Sequence, residues 1–409
     1  MTRSYRSIAL DRSRIAFTVA RQLARPFARR LGVAVVLTLA LAASGAPARA
    51  QGTLATQGYG YATGQFSTRA RGTAGAIGEF DALSPLNPAA MAELGRSTLY
   101  LQYDPEFRST KVAGSETSTS VFRFPIFSAI LAMGDAGRAT IGVSASSFLD
   151  RTWAISDSAL QIIGTDTASY TQIQQSRGGM NDVRLAFAWR FNEKLRAGIA
   201  AHAILGGNQV LTTRQYSDSS KYVAANLGWE LRYSGRAYSV GAEYQPTSRV
   251  TVAATYRLGG ALAVSLKDSV ELASARVPDR FSLGVRADVA KGTQLTVSSV
   301  FTKWSAMTPM LAPGSFALDS WDSALGLEST GPIMLGLPTV WRAGLASRGL
   351  PFAVRTIGVR ETSFAGGVSF LVAQGRGILD FALQRAQRSA SSGVSESAWT
   401  ASVGLMITP

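Results

Sequence analysis

The 409-residue chain contains no cysteine and a single histidine, His202. It can therefore form neither a disulfide nor a thiolate zinc site, and one histidine cannot complete the usual ligand set of a metal centre. Small exported domains usually depend on disulfides, so an exported chain of this composition needs another source of stability. We expect no metal and no other cofactor.

Long apolar runs are also missing beyond residue 50. No stretch there approaches about 18 consecutive apolar residues, close to the length that a transmembrane helix needs. The first 50 residues are predicted to be a cleaved secretory leader: an arginine-rich start, an apolar run over 31–43, and Ala48-Arg49-Ala50 as an A-x-A cleavage site. An N-terminal anchor is the alternative, although the apolar run is short for that role.

Excess charge is absent as well once the leader is removed. The leader holds nine of the 41 basic residues and one of the 26 acidic residues, which leaves 32 basic and 25 acidic residues. That balance gives no reason to expect a nucleic-acid partner.

The remaining chain is rich in alternating segments. Over 182–191, 280–290 and 399–408, every second residue is apolar and the intervening ones are polar or small. The segments run for about 9–11 residues, the length of a tilted membrane strand, with aromatic residues near their ends. A soluble all-β protein is the alternative, but its strands would be shorter, about 5–6 residues.

Fourteen such segments are predicted, and an even number is typical of bacterial single-chain barrels. They begin near Ser97, Ser120, Ala139, Asp182, Arg196, Ala237, Val250, Arg280, Gln294, Val340, Ala353, Phe364, Ile378 and Trp399. Short turns are predicted at 134–138, 191–194, 246–249, 289–293, 347–351 and 374–377. Long loops are predicted at 104–117, 152–179, 206–236, 259–277, 305–337 and 388–397. Only the link near 361–363 does not fit this alternation of short turns and long loops. The sequence thus predicts an all-β transmembrane antiparallel barrel in contact with outer-membrane lipid.

One stretch, 69–94, does not have the pattern of a strand. It is rich in glycine and alanine and ends close after Asn87-Pro88-Ala89. We predict that residues 51–95 form a hatch segment inside the lumen and that 96–409 form the barrel. Asn87 is expected to bond nearby barrel backbone and Pro88 to fix a sharp turn, while a helix that starts at Pro88 is an alternative that is compatible with both.

Charged residues recur on the predicted inward faces, and two interpretations remain open. They are Arg184, Arg190, Arg196, Glu243, Arg257, Arg280, Arg286 and Asp288. They either form a mutually paired network within the wall, the interpretation we favour, or line an anion path or a site for a carboxylate. Separately, the apolar stretches 307–318 and 333–337 in a predicted loop either bind a ligand or membrane, or pack on each other as a cap.

No enzyme is predicted. His202 falls on the inward face of the fifth strand, and the spacing suggests no nucleophile and orienting group for it. The glycine-rich stretch 71–78 lacks the G-x-x-x-x-G-K-[ST] pattern of a phosphate loop.

The hatch segment resembles the start of the long-chain fatty-acid transporter family, the FadL-like and TodX-like outer-membrane barrels. The matching residues are 71–76 and Asn87-Pro88-Ala89, and 244–257, 277–284 and 301–305 are similar to later strands of that family. The resemblance implies a fourteen-stranded barrel that passes a hydrophobic small molecule inward past an N-terminal hatch, by passive diffusion. Secretion-associated PorV-like barrels, which dock a protein partner, also resemble the opening segment, and a general anion porin is a third possibility. The sequence does not indicate an oligomeric state.

Overall fold

The structure is a computed structural model that describes residues 54, 60–112, 115–134, 137–267, 271–311, 315, 317–354, 357–390 and 394–409. The predicted leader, residues 1–50, and much of 51–59 lie outside the described residues. Within the described ranges, no helix is both long and apolar enough to cross a membrane.

Strands make up most of the described chain. They are β1 Tyr61–Ala62, β2 Thr98–Val112, β3 Ser115–Arg123, β4 Ile126–Met133, β5 Ala139–Asp150, β6 Trp153–Ile163, β7 Asp166–Arg190, β8 Leu195–Tyr216, β9 Ala225–Thr247, β10 Val250–Leu266, β11 Glu271–Arg276, β12 Arg280–Ala290, β13 Thr293–Thr302, β14 Ser320–Thr330, β15 Thr339–Val354, β16 Ile357–Val372, β17 Gly377–Ala390 and β18 Val394–Ile407. The helical pieces are short: an α-helix, Thr68–Gly72, and three 3-10 helices, Pro88–Glu93, Trp304–Met310 and Ala373–Gly375.

Fourteen of these strands close into an antiparallel barrel. The last strand, β18, pairs with the first barrel strand, β2, from Val394 opposite Val112 to Ile407 opposite Leu99. Strands β3, β6 and β11 pair with the outer parts of β2, β7 and β10, and the short β1 pairs with β5. Closure leaves the wall without an edge, so its backbone groups are satisfied within lipid. The predicted fold class is confirmed.

The predicted number of strands is right, but two of the predicted segments are wrong. Strand β14, Ser320–Thr330, lies inside the stretch 305–337 that we expected to be a loop. The segments predicted to begin near Val340, Ala353 and Phe364 are only two strands, β15 and β16. The expected turn at 347–351 is a register shift between Gly349 and Ala353 within β15. The missed strand β14 and the one extra predicted segment therefore cancel, and the total remains fourteen. The link near 361–363, which did not fit the predicted alternation of short turns and long loops, lies within β16.

The predicted long loops are mostly strand. Strand β7 has 25 residues and β9 has 23, and the two are connected through β8 by a continuous ladder. At about 3.3 Å per residue, β7 is about 80 Å long, far more than a tilted strand needs to cross the hydrocarbon core. The outer halves of β7 and β8 carry mainly Gln, Ser, Thr and other polar residues, most of them at least partly exposed. We infer that the barrel wall continues beyond the membrane at the end opposite the short turns.

The alternation is confirmed in the barrel wall. On β7 the lumen side carries Asp182, Arg184 and Ala186, all buried, whereas Leu185 and Trp189 point outward and are 56% and 41% exposed. An accessible apolar outer face and a polar inner one match the requirement of a bilayer that surrounds the barrel.

The two apolar stretches of the predicted loop lie at opposite ends of the wall and do not pack on each other. Trp304, Met307 and Met310 are buried at the loop end, in a cluster with Phe148 of β5. Leu335 is 80% exposed in the connection between β14 and β15, at the turn end. The alternative in which the two stretches pack on each other as a cap is therefore wrong; only the first stretch contributes to a buried cap, at the loop end.

Candidate functional site: the lumen and its hatch segment

The described part of the hatch segment, mainly residues 60–95, lies against the inner face of the barrel. Its α-helix Thr68–Gly72 contacts β15 to β18, and its 3-10 helix Pro88–Glu93 contacts β5, β7, β8 and β9. These strands belong to different arcs of the wall, and almost every residue between 67 and 92 is buried. The segment therefore spans the lumen from one side to the other.

Asn87 and Pro88 begin the 3-10 helix, which is the alternative that we considered for them. Asn87 Oδ1 accepts a hydrogen bond from the backbone N–H of Ala89, 3.0 Å away, and Asn87 Nδ2 donates to the carbonyl of Glu79 at 2.9 Å. Both bonds are internal to the hatch segment, so the expectation that Asn87 bonds barrel backbone is wrong. A capping Asn followed by Pro at the first position is a standard helix start.

The barrel wall contacts the hatch segment at glycine residues of the wall strands. A Cβ at Gly198 would lie 2.7 Å from the carbonyl carbon of Pro88, and one at Gly344 would lie 2.2 Å from that of Thr73. Glycine is the residue that permits such close approach of two backbones. Inward glycines with a hatch residue among their nearest atoms occur on eight strands: Gly142, Gly198, Gly241, Gly284, Gly326, Gly344, Gly367 and Gly404.

Ion pairs connect the hatch segment to the barrel wall on both sides of the lumen. Arg71 lies 2.7 Å from Asp104 of β2, and Arg69 lies 3.1 Å from Asp380 of β17. On the other side, Glu79 is 2.5 Å from Arg280 of β12, and Glu93 is 3.2 Å from Arg286 of the same strand. Burial strengthens such charge-assisted contacts because water competes less for them.

The predicted lumen charges are thus brought together, but partly by the hatch segment and not by the wall alone. Arg280 and Arg286 bond Glu79 and Glu93, and Arg190 donates to the carbonyl of Ala92. Arg196 and Glu243, opposite each other in the β8–β9 ladder, form a wall pair at 2.9 Å. Asp288 is exposed at the turn end, where Gln294 donates to it at 2.8 Å.

Two of the predicted arginines are less fully paired. Arg257 lies 4.0 Å from Asp182 and stacks over the ring of Phe148 at 5.0 Å. Arg184 is 2% exposed, and among the described residues its Nε and Nη1 have no hydrogen-bond partner. Buried guanidinium groups with free N–H donors give this part of the lumen a positive character.

A second charged cluster near the loop end was not predicted. Arg388 of β17 contacts Glu361 at 2.7 Å and Glu106 at 3.4 Å, and Glu106 also pairs with Arg108 at 2.7 Å. Tyr61 of the hatch segment donates to Glu396 at 2.9 Å within the same cluster. Glu106 and Arg108 alternate on β2, and the other charged residues of the cluster lie on β16, β17 and β18. This signal was lost because 104–117 and 388–397 were predicted to be loops.

His202 has hydrogen-bond partners that the spacing of the sequence did not suggest. Its Nδ1 lies 2.9 Å from Asp182 Oδ1, and its Nε2 lies 2.9 Å from Ser239 Oγ. Asp182 also accepts a hydrogen bond from Gln65 of the hatch segment at 3.0 Å.

A cavity lies between the hatch segment and the wall formed by β10 and β12 to β15. Its volume is about 80 Å³. Its apolar lining comes from residues on both sides, among them Phe66, Leu86, Phe148, Val300 and Leu350. Charged groups interrupt this lining, namely Arg257, Arg280, Asp322, Arg348 and Glu361. The lining thus offers both apolar and charged contacts to a small molecule.

No family model and no curated protein matches the sequence. Among solved structures, a Pseudomonas aeruginosa FadL homologue aligns with a TM-score of 0.56 at 14% identity, over 85% of this chain and 99% of that one. The monoaromatic hydrocarbon channel CymD aligns at 0.52 with 15% identity, over 84% and 97%. The Ralstonia pickettii toluene transporter TbuX aligns at 0.51 with 14% identity, over 84% and 98%. At these identities the likeness establishes the fold: the chain has the fold of the FadL-like outer-membrane channels.

Proposed function

We propose that this chain is an outer-membrane channel for hydrophobic or amphipathic small molecules, with long-chain fatty acids and hydrocarbons as the substrate classes. The observation that carries the proposal is the cavity between the hatch segment and the wall, which combines an apolar lining with buried arginines. Support comes from the solved structures with the same fold, which are described as a FadL homologue, a monoaromatic hydrocarbon channel and a toluene transporter.

Uptake tests the proposal directly. Cells that express the chain should accumulate radiolabelled toluene or a long-chain fatty acid faster than cells with an empty vector. Replacement of Ala324, which lines the cavity, by Trp should reduce this rate because the ring would occupy the space. Ala343→Trp is the matched control, since Ala343 is exposed on the outer face of β15. Equal uptake by both variants and by the empty vector would reject the proposal.

We further propose that the hatch segment must move for the substrate to pass. The described part of the segment contacts both β15 to β18 and, across the lumen, β5 and β7 to β9, so a rigid hatch would obstruct passive diffusion. Deletion of residues 51–95 should therefore raise single-channel conductance in planar bilayers. An unchanged, closed barrel after deletion would contradict this part of the proposal.

A reversible disulfide distinguishes a hatch segment that must move during transport from one that only fills the lumen. Because the chain has no cysteine, Ala76→Cys with Gly326→Cys creates a unique pair. A Cβ at Gly326 would lie 2.8 Å from that of Ala76, so only a small displacement reaches the roughly 3.5–4.5 Å of a disulfide. Oxidation should stop uptake and reduction should restore it, whereas Ala76→Cys alone should not respond. Undiminished uptake in the oxidised protein would show that the hatch segment need not move here.

A further inference from the structure

Asp182, His202 and Ser239 form a continuous hydrogen-bonded row across three adjacent strands, β7, β8 and β9. The two His202 contacts are 2.9 Å each, and all three residues are buried. An ionised carboxylate only accepts hydrogen bonds, so Asp182 selects the tautomer with the proton on Nδ1. Nε2 is then an acceptor for the hydroxyl of Ser239. The row has the order of a nucleophile, a base and an orienting carboxylate.

The strand register places the three side chains in this order. Asp182 is opposite Ile204, two residues beyond His202, and Ser239 is opposite Ala200, two residues before it. Both contacts of His202 are therefore diagonal ones on the inner face. Diagonal partners lie about 7–8 Å apart, within reach of a ring as long as imidazole.

A guanidinium with a free donor lies beside the serine. Arg257 of β10 is directly opposite Ser239 in the β9–β10 ladder and is 5% exposed. Its Nε has no hydrogen-bond partner within the described part of the chain. The next residue in the same row, Arg280, is already held by Glu79. An unengaged N–H next to a nucleophile is the kind of group that stabilises an oxyanion.

Ser239 faces a small space inside the lumen. It lines a cavity of about 10 Å³ together with His202, Thr255 and Arg257, and hatch residues close the opposite side. This small cavity shares Gln65, Leu86, Arg257 and Arg280 with the larger apolar-lined cavity. A space of this volume holds about one water, so an ester reaches Ser239 only when the hatch residues that close the cavity move. A serine that only stabilised the wall would not require the free guanidinium.

We propose that Ser239, His202, Asp182 and Arg257 form a hydrolytic site for carboxylic esters with an apolar acyl chain. Ser239 Oγ forms a bond to the ester carbonyl carbon as its proton passes to His202 Nε2. The carbonyl electron pair moves to the oxygen, where Arg257 stabilises the negative charge. When the carbonyl re-forms, the bond to the alkoxy oxygen breaks, and His202 returns the proton to the leaving alcohol.

Water completes the reaction. It gives a proton to His202 Nε2 and attacks the acyl carbon, and the tetrahedral species then breaks its bond to Ser239 Oγ, which takes the proton back. The net change is one ester and one water converted into one carboxylic acid and one alcohol. Asp182 keeps the imidazole oriented throughout and stabilises its cationic form. The reaction is independent of whether the barrel also transports the products.

Covalent labelling of the full-length protein in detergent micelles tests the site. A fluorophosphonate probe should phosphonylate Ser239, identified by peptide mass spectrometry, and the protein should hydrolyse p-nitrophenyl esters of medium-chain acids. Ser239→Ala should abolish labelling. Ser239→Ala and His202→Gln should each lower kcat by about 10³-fold or more. Arg257→Met should lower kcat by about 10²–10³-fold with little change in KM, as expected for an oxyanion donor.

Ser363→Ala is the matched control, because Ser363 is a buried inward serine on β16 whose hydroxyl has no partner among the described residues. It should leave both labelling and hydrolysis unchanged. Heat-dependent gel mobility verifies that each variant is folded, and Asp182→Asn provides a second test if His202→Gln does not fold. Absence of labelling in the folded parent protein, or hydrolysis that persists in Ser239→Ala, overturns the proposal.

Discussion

Asn87 Oδ1 lies only 2.0 Å from the position that a Cβ would occupy at Gly241 of β9. Gly241 is directly opposite Gly198 of β8, where a Cβ would lie 2.7 Å from the carbonyl carbon of Pro88. The two facing glycines form a shallow depression in the inner wall, and the start of the 3-10 helix Pro88–Glu93 lies in it. The wall and the hatch segment thus fit so closely that a single added methyl group at Gly241 or Gly198 would clash with the hatch segment.

Gly241→Val should displace the start of this helix from the wall. Added methyl groups in a packed interior cost about 1–3 kcal/mol, and the hatch segment can move more readily than a strand held on both sides. We therefore expect increased single-channel conductance and faster protease cleavage within residues 60–95. Gly366→Val is the control, since a Cβ at Gly366 would meet only ordinary contacts, the nearest atom being Arg342 O at 3.7 Å. Equal behaviour of the two variants would refute the role of the depression.

The inward and outward faces of the wall could be predicted from the sequence because lipid imposes a strict alternation. Strand β12 was predicted with its observed start at Arg280 for this reason. Strand β14 was missed because Ser323 interrupts its outward apolar face, while Ala324 and Gly326 make its inward face nearly as apolar. Where the two faces do not differ, periodicity gives no signal.

Ion pairing with the hatch segment should stabilise the closed barrel. Removal of one partner of a buried pair leaves the other charge uncompensated and costs about 3–5 kcal/mol. Glu79→Gln should therefore destabilise the protein through Arg280, measured as the free energy of unfolding in urea. In a double-mutant cycle, Arg280→Gln should restore part of the loss. Strictly additive effects of the two substitutions would show that the pair contributes no coupling energy.

Partners such as Asp182, His202 and Ser239 could not be predicted from spacing along the chain. They are separated by 20 and 37 residues, and only the register of β7, β8 and β9 brings them together. The register depends in turn on the lengths of the turns and on bulges. Prediction of the inward face was therefore possible, whereas prediction of contacts across it was not.

Trp304 should be the main anchor of the cap at the loop end. It is 6% exposed, its ring stacks on Phe148 with centroids 5.8 Å apart, and Nε1 donates to Ser320 Oγ at 3.2 Å. Trp304→Ala should lower the free energy of unfolding by about 3–5 kcal/mol because it leaves a cavity. Trp321→Ala, on the outer face with 60% exposure, should cost clearly less. Similar losses for both would contradict a packed cap.

A charge scan distinguishes the part of the wall within the membrane from the part beyond it. Leu185 of β7 faces outward within the barrel and is 56% exposed, and Leu160 of β6 is 72% exposed on the outer extension. Arginine on the lipid face costs about 2–4 kcal/mol at the bilayer midplane and about 0–1 near the interfaces. Leu185→Arg should therefore reduce the free energy of unfolding from phospholipid vesicles by the larger amount, and Leu160→Arg should leave it almost unchanged. A comparable loss at Leu160 would place β6 inside the bilayer, and the long strands would then need a different arrangement, because a ladder of 25 residues is far longer than the hydrocarbon core is thick.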